Sequence, residues 1–378
     1  MQLTDMESFM QTIVQKMDRD NLRAEDFTKA VELLRSGQLV AMPTETVYGL
    51  AGNAFDREAA RKIYAAKGRP SDNPLIVHIA DFDALNEIAG DVPDIALKVA
   101  EKFWPGPLTM ILKKSSRVPK ETTGGLDTVA IRFPSDKIAN MLISQSGLYL
   151  AAPSANASGR PSTTRAEHVY EDLNGKIPLI LDGGSCKIGL ESTIIDLSAD
   201  KPQILRPGYI TLEMLKEAVP GIEYDPAVIS RTPQKDVVAK APGMKYRHYA
   251  PKGNLTIIEG EKNKVIENIN RLAALKINGK YCTGIIATEE TAPFYNGIQV
   301  NEKSDFANMK NNAAGPLIFT VGSDTDDLLT AVQLFDRLRL CDEAGCAYIY
   351  SEGFENGPLS QAIMNRLLKA AGYQVETV

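Results

Sequence analysis

Two cationic side chains flank a glycine at the predicted end of a helix. Lys67 and Arg69 stand on either side of Gly68, and Pro70 favours extended geometry at Arg69. Such cations can simply complement the helix dipole, which is worth about 0.3–1 kcal/mol. The following residues, 71–74, are poor in hydrophobic side chains and rich in hydrogen-bond donors. Together, the two cations and this loop favour a site for an anion.

A third cation, Arg132, falls within a predicted strand at 128–133. Period-2 alternation puts it on the same face as Thr128 and Ala130, opposite Val129. An arginine on the inner face of a strand needs an anionic partner. That partner could be another side chain, but the cost of burying an ion pair favours a ligand.

Polar residues also follow or occupy other predicted strands. The segment 153–162 follows a strand at 148–152, a position where α/β sheets commonly bind ligands, although it could be an ordinary turn of small residues. Residues 191–193, Glu-Ser-Thr, could form a simple edge turn. His78 lies on a strand at 75–79, where a histidine is more often a satisfied core residue than a ligand. No GxSxG motif accompanies the serines, which argues against a hydrolase nucleophile.

The elements that must position these residues form a mixed pattern. An apolar strand at 39–42 leads to a helix that Asp56 caps at its start and a glycine ends. Residues 1–38 are predicted to be helical, and helix signals are sparse between 105 and 205. We therefore expect an α+β first domain with a mixed sheet, closed by a short helix at 212–219.

The chain changes character after residue 219. Residues 220–252 are rich in proline and cations, so we predict a linker whose length and charge favour a lid over a phosphate ligand. Strand and helix patterns then alternate, which predicts a small parallel-sheet α/β domain. Neither GxGxxG nor GxxxxGK[ST] occurs there, so this domain has no recognisable nucleotide fingerprint. The predicted domains are 1–219, 220–252 and 253–378.

Composition argues against several classes of protein. The 378 residues carry a net charge of −6, which disfavours bulk binding to a long nucleic acid. Residues 57–73 hold five cations against two acids, and residues 230–252 hold six against one, which suits a small anionic ligand. We expect no membrane span and no signal peptide. Four scattered cysteines predict free thiols in a reducing cytoplasm, and three distant histidines argue against zinc.

Eight motifs resemble the threonylcarbamoyl-AMP synthase family in its long form, which has a YrdC-like domain and a second, C-terminal domain. They are PTETVYGL (43–50), KGRPSDNPLIVHI (67–79), WPGPLT (104–109), VAIRFP (129–134), PSANASGRPS (153–162), ESTI (191–194), RPG (206–208) and PGMKYRHYAP (242–251). The resemblance covers essentially the whole chain. It implies an α/β protein with an open, twisted mixed sheet around a deep, positively lined cavity, followed by a smaller Rossmann-like parallel-sheet domain.

The resemblance also implies an activity. Family members condense L-threonine, bicarbonate or CO2 and ATP into threonylcarbamoyl-AMP and release pyrophosphate, with Mg2+ assisting. Separate threonylcarbamoyl-transferase proteins then modify the tRNA adenosine next to the anticodon, so we expect at most weak contact with tRNA. The expected location is the cytoplasm, away from membranes.

Roles for individual residues follow from the same resemblance. The expected catalytic residues are Lys67, Arg69, Ser154 and Asn156. The expected ligands of L-threonine are Thr46, His78, Arg132, Ala152 and Ser192. The expected contacts to ATP are Arg69, Asn73, Thr128, Ser154, Ser162, Arg206 and Tyr246, of which Tyr246 would close over the pocket from the linker. No protein side chain is expected to ligate a metal.

Two other functions compete with this interpretation. A non-catalytic RNA-binding factor acting on tRNA or ribosomal RNA would also use a basic cavity, but the acidic overall charge and the lack of aromatic stacking runs disfavour it. A carbamoyl-adenylate enzyme with another acceptor, such as a hydrogenase maturation factor, would carry acylphosphatase and zinc-finger segments. Neither segment occurs in this sequence.

Overall fold

The computed structural model describes residues 10–232, 240–242, 248–303 and 315–378. Within them, the strands form two separate sheets, one of eleven strands and one of six. The first sheet is mixed and the second is entirely parallel. Both features confirm the predicted fold class.

The first sheet takes its strands from the first 224 residues. They are β1 Ile13–Lys16, β2 Val40–Met42, β3 Gly49–Asn53, β4 Ile76–His78, β5 Leu108–Lys113, β6 Thr128–Arg132, β7 Leu150–Ala151, β8 Leu179–Asp182, β9 Thr193–Asp196, β10 Gln203–Arg206 and β11 Glu223–Tyr224. Their order in space is β1-β8-β2-β3-β7-β4-β6-β5-β9-β10-β11. Strands distant in sequence therefore become neighbours, and β4 and β6 lie at the centre.

Eight short α-helices accompany this sheet in the described part of the chain. They are α1 Thr28–Arg35, α2 Arg57–Lys67, α3 Leu85–Ile88, α4 Asp94–Phe103, α5 Lys137–Ser146, α6 Ala166–Leu173, α7 Leu212–Lys216 and α8 Pro226–Ile229. The start of α2 is as predicted, because the Asp56 side chain accepts a hydrogen bond from the backbone N–H of Glu58. Gly68 ends α2 with a φ of 61°, a left-handed conformation that glycine adopts without strain.

The prediction that residues 1–38 are helical is wrong for residues 13–16. This segment is β1, which pairs in parallel with β8. The partner lies more than 160 residues away, so no local periodicity reveals the pairing. Between 105 and 205, where helix signals are sparse, the structure has two helices of ten and eight residues, α5 and α6. The signals for α5 were present in Asp136, which caps its start, and Gly147, which ends it with a φ of 64°.

The second sheet follows the predicted alternation of strand and helix. Its strands are β12 Asn254–Glu259, β13 Thr283–Ala287, β14 Ile298–Gln299, β15 Leu317–Thr320, β16 Tyr348–Glu352 and β17 Val375–Thr377, in the order β14-β15-β13-β16-β12-β17. The α-helices are α9 Lys262–Asn278, α10 Asp327–Glu343 and α11 Ser360–Ala370. The short strands β14 and β17 escaped prediction because each has only two or three residues.

The segment predicted as a linker, 220–252, begins with regular structure. β11 pairs in parallel with β10, and α8 follows it. Further along, Tyr249 packs in one hydrophobic cluster with Val47, Leu190 and the core of the second sheet's domain. The hydrophobic cluster thus continues from one domain to the other. The domain boundaries at 219 and 252 stay a prediction.

Two smaller expectations concern the cysteines and the membrane. All four cysteines are free thiols. Among the helices of the described residues, none combines the length and apolar character needed to cross a bilayer.

Candidate active site

Neighbouring strands bring several of the predicted residues into one row. In the pairing of β4 with β6, His78 lies opposite Arg132. In the pairing of β6 with β5, Arg132 lies opposite Thr109. The Thr109 hydroxyl is 2.7 Å from that of Ser192, which precedes β9. A row across these neighbouring strands therefore carries a histidine, an arginine and two hydroxyl groups side by side.

Arg132 has the anionic partner that its strand position demands. Its Nη2 lies 2.8 Å from Oε1 of Glu45, and both side chains are buried. The ion pair is poorly aligned for hydrogen bonding, since neither carboxylate oxygen, nor Nε or Nη2, has a hydrogen-bond partner among the described residues. Sequence reasoning missed Glu45, although the need for an anion beside Arg132 pointed to such a residue.

His78 is held neutral by its surroundings. Its Nδ1 lies 3.1 Å from the carbonyl oxygen of Ile76, and the ring is buried. Burial, followed by the charge of Arg132, lowers the pKa of His78 to about 3. The imidazole is therefore uncharged at neutral pH and can offer a hydrogen bond without adding positive charge.

The other residues predicted to bind L-threonine are buried nearby. The Thr46 hydroxyl lies 2.9 Å from that of Thr44. The backbone N–H of Ala152 donates to the carbonyl of Ile76 at 2.9 Å, which fixes Ala152 beside β4. The hydroxyl of Ser192 also accepts a hydrogen bond from Nη2 of Arg206 at 3.1 Å.

The Lys67 side chain contacts the backbone of the loop at 153–162. Its ammonium group donates to the backbone carbonyls of Ser154 and Asn156 and lies 3.5 Å from Oδ1 of Asn156. The Ser154 hydroxyl donates to the same Oδ1 at 2.6 Å. Burial, followed by the charge of Arg69, holds the pKa of Lys67 well below its usual range. In this arrangement Lys67 anchors the loop that carries Ser154 and Asn156, two of the other three predicted catalytic residues.

Arg69 lines the cleft and is bound to its own loop. Its Nη2 donates to the carbonyl of Pro74 at 3.0 Å, and its Nε donates to that of Asn73 at 3.3 Å. Burial lowers the pKa of Arg69 to about 10, so the side chain remains a cation at neutral pH. Asn73 is buried too, and its Oδ1 has no hydrogen-bond partner among the described residues.

Arg206 and Ser162 approach from the other side of the cleft. Arg206 is buried, and its Nε donates to the carbonyl of Ser192 at 2.9 Å. The Ser162 hydroxyl donates to Oε1 of Glu191, a carboxylate that lines the cleft. Glu191 was noticed in the sequence only as part of a turn.

One predicted ATP contact, Thr128, lies away from this cluster. Thr128 is half-buried at the opposite end of β6 from Arg132. Four residues of strand place it about 13 Å away. Tyr246 lies outside the described residues.

The linker covers one side of the cleft. Pro242, His248 and Tyr249 are among the lining residues, together with Arg69 and Glu191. Burial lowers the pKa of His248 to about 3, and its Nδ1 has no hydrogen-bond partner in the described chain. The sequence predicts a lid from the motif that contains both residues, but it names only Tyr246 of that motif as a contact to ATP.

The cleft as a whole is built for anions. Among the described lining residues, the side chains of Arg69, Arg132 and Arg206 stand against the carboxylate of Glu191, and Glu45 lies beside Arg132. Three buried cations with hydroxyls between them can bind carboxylate and phosphate groups through charge-assisted hydrogen bonds. Within the described residues, no group of three metal-ligating side chains is present.

Two family models match the chain. The model described as "Telomere recombination" matches residues 32–208, which contain the cleft residues of the first sheet's domain. The model described as "Threonylcarbamoyl-AMP synthase, C-terminal domain" matches residues 210–372. Together the two models account for most of the chain.

Individual relatives agree with these models over nearly their full length. The chain is 45% identical to the threonylcarbamoyl-AMP synthase of Pyrococcus abyssi, covering 92% of this chain and 94% of the relative. It is 44% identical to that of Bacillus subtilis, covering 94% and 96%. Its fold is similar to the crystal structure of P. abyssi Sua5 complexed with L-threonine, with a TM-score of 0.85, 42% identity and coverage of 97% and 99%.

Proposed function

Because the chain belongs to the threonylcarbamoyl-AMP synthase family, we propose that it condenses L-threonine, CO2 or bicarbonate and ATP into threonylcarbamoyl-AMP with release of pyrophosphate. The observation that supports the proposal is the convergence of Arg69, Arg132 and Arg206 on one cleft, against Glu191 in the described lining and Glu45 beside Arg132. A triphosphate and an amino-acid carboxylate are the anions that such a cleft would hold.

In the proposed reaction, Arg132 binds the carboxylate of threonine. The guanidinium geometry suits a fork of two charge-assisted hydrogen bonds. Among the described residues, Nε of Arg132 has no hydrogen-bond partner, and Nη2 lies 2.8 Å from Oε1 of Glu45 without an aligned hydrogen bond, so threonine would share Arg132 with Glu45. The crystal structure of P. abyssi Sua5 with L-threonine supports this substrate. We assign Thr46, His78, Ala152 and Ser192 to the same substrate, and neutral His78 adds no competing charge.

The chemistry needs positioning more than it needs a protein nucleophile. The amine of threonine captures CO2 as a carbamate, and a carbamate oxygen then attacks the α-phosphorus of ATP. The bond to the leaving pyrophosphate breaks as the new P–O bond forms, so negative charge develops on phosphoryl oxygens. Preorganised cations next to those oxygens lower the barrier.

On the phosphate side, we assign direct contacts to Arg69, Ser154, Asn156 and Arg206. We assign Lys67 first to holding the loop, because its ammonium group already donates to the carbonyls of Ser154 and Asn156. Asn73, Ser162 and Thr128 are further candidates for contacts to ATP. Mg2+ would enter as the ion of MgATP and neutralise charge on the phosphates.

The linker is proposed to act as a lid. His248 and Tyr249 line the cleft, so this end of the linker lies next to the proposed position of the substrates. Tyr246 belongs to the same motif and is proposed to close over ATP. A lid of this kind would exclude water from a reactive carbamate and adenylate.

The product would be consumed by a second protein. We propose that a threonylcarbamoyl-transferase moves the group to the tRNA adenosine next to the anticodon, while this chain contacts tRNA weakly at most. The cations of the cleft are buried, so they are poorly placed to meet the backbone of a long polyanion. The non-catalytic RNA-binding factor is disfavoured for the same reason.

The decisive test is threonine-dependent release of pyrophosphate from ATP. Purified protein with bicarbonate and MgATP should release pyrophosphate when L-threonine is added and much less when it is omitted. Lys67→Ala and Arg69→Ala should each abolish the reaction while far-UV circular dichroism stays unchanged. Absence of threonine-dependent release from the wild-type protein would contradict the synthase assignment, and tight tRNA binding without turnover would favour the RNA-binding factor.

A further inference from the structure

A fully buried arginine of the second domain reaches into the cleft loops of the first. Arg366 lies on α11, and its Nε donates to Oε2 of Glu191 at 3.0 Å. Its Nη2 donates to the backbone carbonyl of Glu191 at 3.2 Å, and its Nη1 donates to that of Pro207. One guanidinium group therefore holds the loop at 191–194 and the loop at 206–208.

Glu191 connects this contact with the proposed ATP site. The carboxylate lines the cleft and accepts a hydrogen bond from the hydroxyl of Ser162. Arg206, which directly precedes Pro207, interacts electrostatically with Glu191 but forms no ion pair with it within 4.0 Å in the described chain. Both Ser162 and Arg206 are residues that we assign to ATP.

The charge of Glu191 has to be neutralised by some cation, because the carboxylate is buried. Burial raises the pKa of Glu191, whereas the charges of Arg366 and then Arg206 lower it, and the pKa stays below its usual range. The carboxylate is thus ionised. After Arg366, Arg206 is the cation that lowers this pKa most. If Arg366 were absent, pairing of Arg206 with Glu191 would turn Arg206 away from the phosphates.

We propose that Arg366 is a positioning residue through which the second domain supports ATP binding: it neutralises Glu191 and thereby leaves Arg206 available to the nucleotide. The proposal rests on the proposed function, since it takes ATP as the ligand of the cleft. It gives the second domain a role in the reaction although that domain carries no nucleotide fingerprint of its own.

A merely structural role for Arg366 makes a different prediction, and Arg337 is the matched control. Arg337 is also a buried arginine of the second domain. It donates to the carbonyls of Thr320 and Asn301, both at 2.7 Å, and to Oε1 of Gln333 at 2.6 Å. These three partners belong to the second domain. Arg337 also lies 3.5 Å from Asp336, whose other ion partners among the described residues are Arg165 and His168 of the first domain, so Arg337→Met leaves the contacts of Glu191 and Arg206 in place.

The experiment compares Michaelis constants in the pyrophosphate-release assay. Arg366→Met should raise the KM for ATP about tenfold or more, because it removes charge-assisted hydrogen bonds and diverts Arg206. The KM for L-threonine should change less than about threefold, and Arg366→Lys should recover part of the loss. Arg337→Met should leave both constants near those of the wild-type protein. A KM for ATP within twofold of wild type in folded Arg366→Met would overturn the proposal.

A double variant tests whether Arg366 acts through Glu191. Glu191→Gln combined with Arg366→Met removes the carboxylate that would capture Arg206. We expect the double variant to bind ATP better than Arg366→Met alone and within about threefold of Glu191→Gln alone. Binding as weak as in Arg366→Met would show that Arg366 acts independently, and would also overturn the proposal. If Arg366→Met alone fails to fold, Arg366→Lys and the double variant provide the same comparison.

Failure of this inference can be told apart from failure of the proposed function. If the wild-type protein and Arg337→Met both lack threonine-dependent pyrophosphate release, the proposed function fails. Calorimetric titration with a non-hydrolysable ATP analogue then still compares wild-type protein, Arg366→Met and the double variant. Equal affinity of all three for the analogue would overturn the role of Arg366.

Discussion

The ion pair between Arg132 and Glu45 sets the chemistry of the threonine side of the cleft. Burying two charges is costly, and a pair without aligned hydrogen bonds recovers less of that cost. A carboxylate ligand that offers two hydrogen bonds to Arg132 would therefore find a cation already stripped of water. The ion pair therefore keeps the Arg132 guanidinium buried and desolvated next to the neutral ring of His78.

At this scale, we predict that Arg132→Met mainly weakens the binding of threonine. The KM for L-threonine should rise about tenfold or more, since a charge-assisted fork is lost, and the KM for ATP should change little. The single variant also leaves Glu45 buried without its partner. Combining it with Glu45→Gln should restore stability in urea denaturation but not the binding of threonine. Recovery of the KM in the double variant would contradict the assignment.

The pH dependence of stability should report the buried histidines. The pKa of His78 and that of His248 are lowered to about 3, whereas an unfolded histidine titrates near 6.5. Below about pH 6.5 the unfolded chain binds more protons than the folded one, so the free energy of unfolding falls on acidification. The expected slope is up to about 1.4 kcal/mol per pH unit for each histidine, continuing toward pH 3.

Urea denaturation of wild-type protein and His78→Gln between pH 7.5 and 5.5 checks this expectation. The variant should lose stability less steeply, because one of the depressed histidines has been removed. Restricting the range to pH 5.5 and above limits the contribution of carboxylates. Identical slopes for the two proteins would mean that His78 does not carry the depressed pKa.

At the scale of elements, the loops at 191–194 and 206–208 depend on one glycine. A Cβ atom on Gly208 would lie 2.5 Å from the backbone nitrogen of Thr193 and 2.9 Å from the carbonyl oxygen of Glu191. Backbone atoms cannot yield as the end of a flexible side chain can. Close approach, and not backbone strain, therefore explains the glycine in this motif.

We predict that Gly208→Ala separates the two loops and damages the ATP site. The free energy of unfolding should fall by about 1–3 kcal/mol, as in other overpacked positions, and the KM for ATP should rise. Gly221→Ala is the control, because Gly221 has a φ of 79° but open space around its Cβ position. That change should cost about 1–2 kcal/mol through backbone strain alone and leave the KM unaltered. Equal kinetics in both variants would contradict the role of the close contact.

At the scale of the whole molecule, a second buried arginine joins the domains. Arg339 on α10 donates to the carbonyl of Pro161 at 2.6 Å and to Oδ2 of Asp172 at 2.9 Å. Asp172 in turn accepts from the backbone N–H of Ala157 and contacts Arg160. The segment at 153–162 is therefore held by Lys67 of the first domain and by Arg339 of the second.

Arg339→Met should destabilise the protein by about 3 kcal/mol, near the lower end of the cost of breaking a buried pair, because Arg160 still contacts Asp172. Since the pair is buried, the loss should be similar in 0.05 and 0.5 M salt. Adding Asp172→Asn should recover part of the stability. Chemical denaturation measures the loss of stability, its dependence on salt and its recovery in the double variant. A loss that vanishes in high salt would indicate an exposed pair instead.

Local patterns in the sequence were enough to predict much of the fold. Alternation of strand and helix predicted the parallel second sheet, and Asp56 and Gly68 marked both ends of α2, because capping and periodicity act over a few residues. The eight motifs predicted the family. They also named most residues that meet in the cleft, including His78, Arg132 and Arg206.

Tertiary structure alone decided which distant groups meet. The pairing of β1 with β8, the partner of Arg132, and the contact of Arg366 with Glu191 across 175 residues could not be predicted. The physical reason is that a buried charge is satisfied by whatever opposite charge the folded chain brings within reach. That partner depends on strand order and domain packing, which leave no trace in local periodicity.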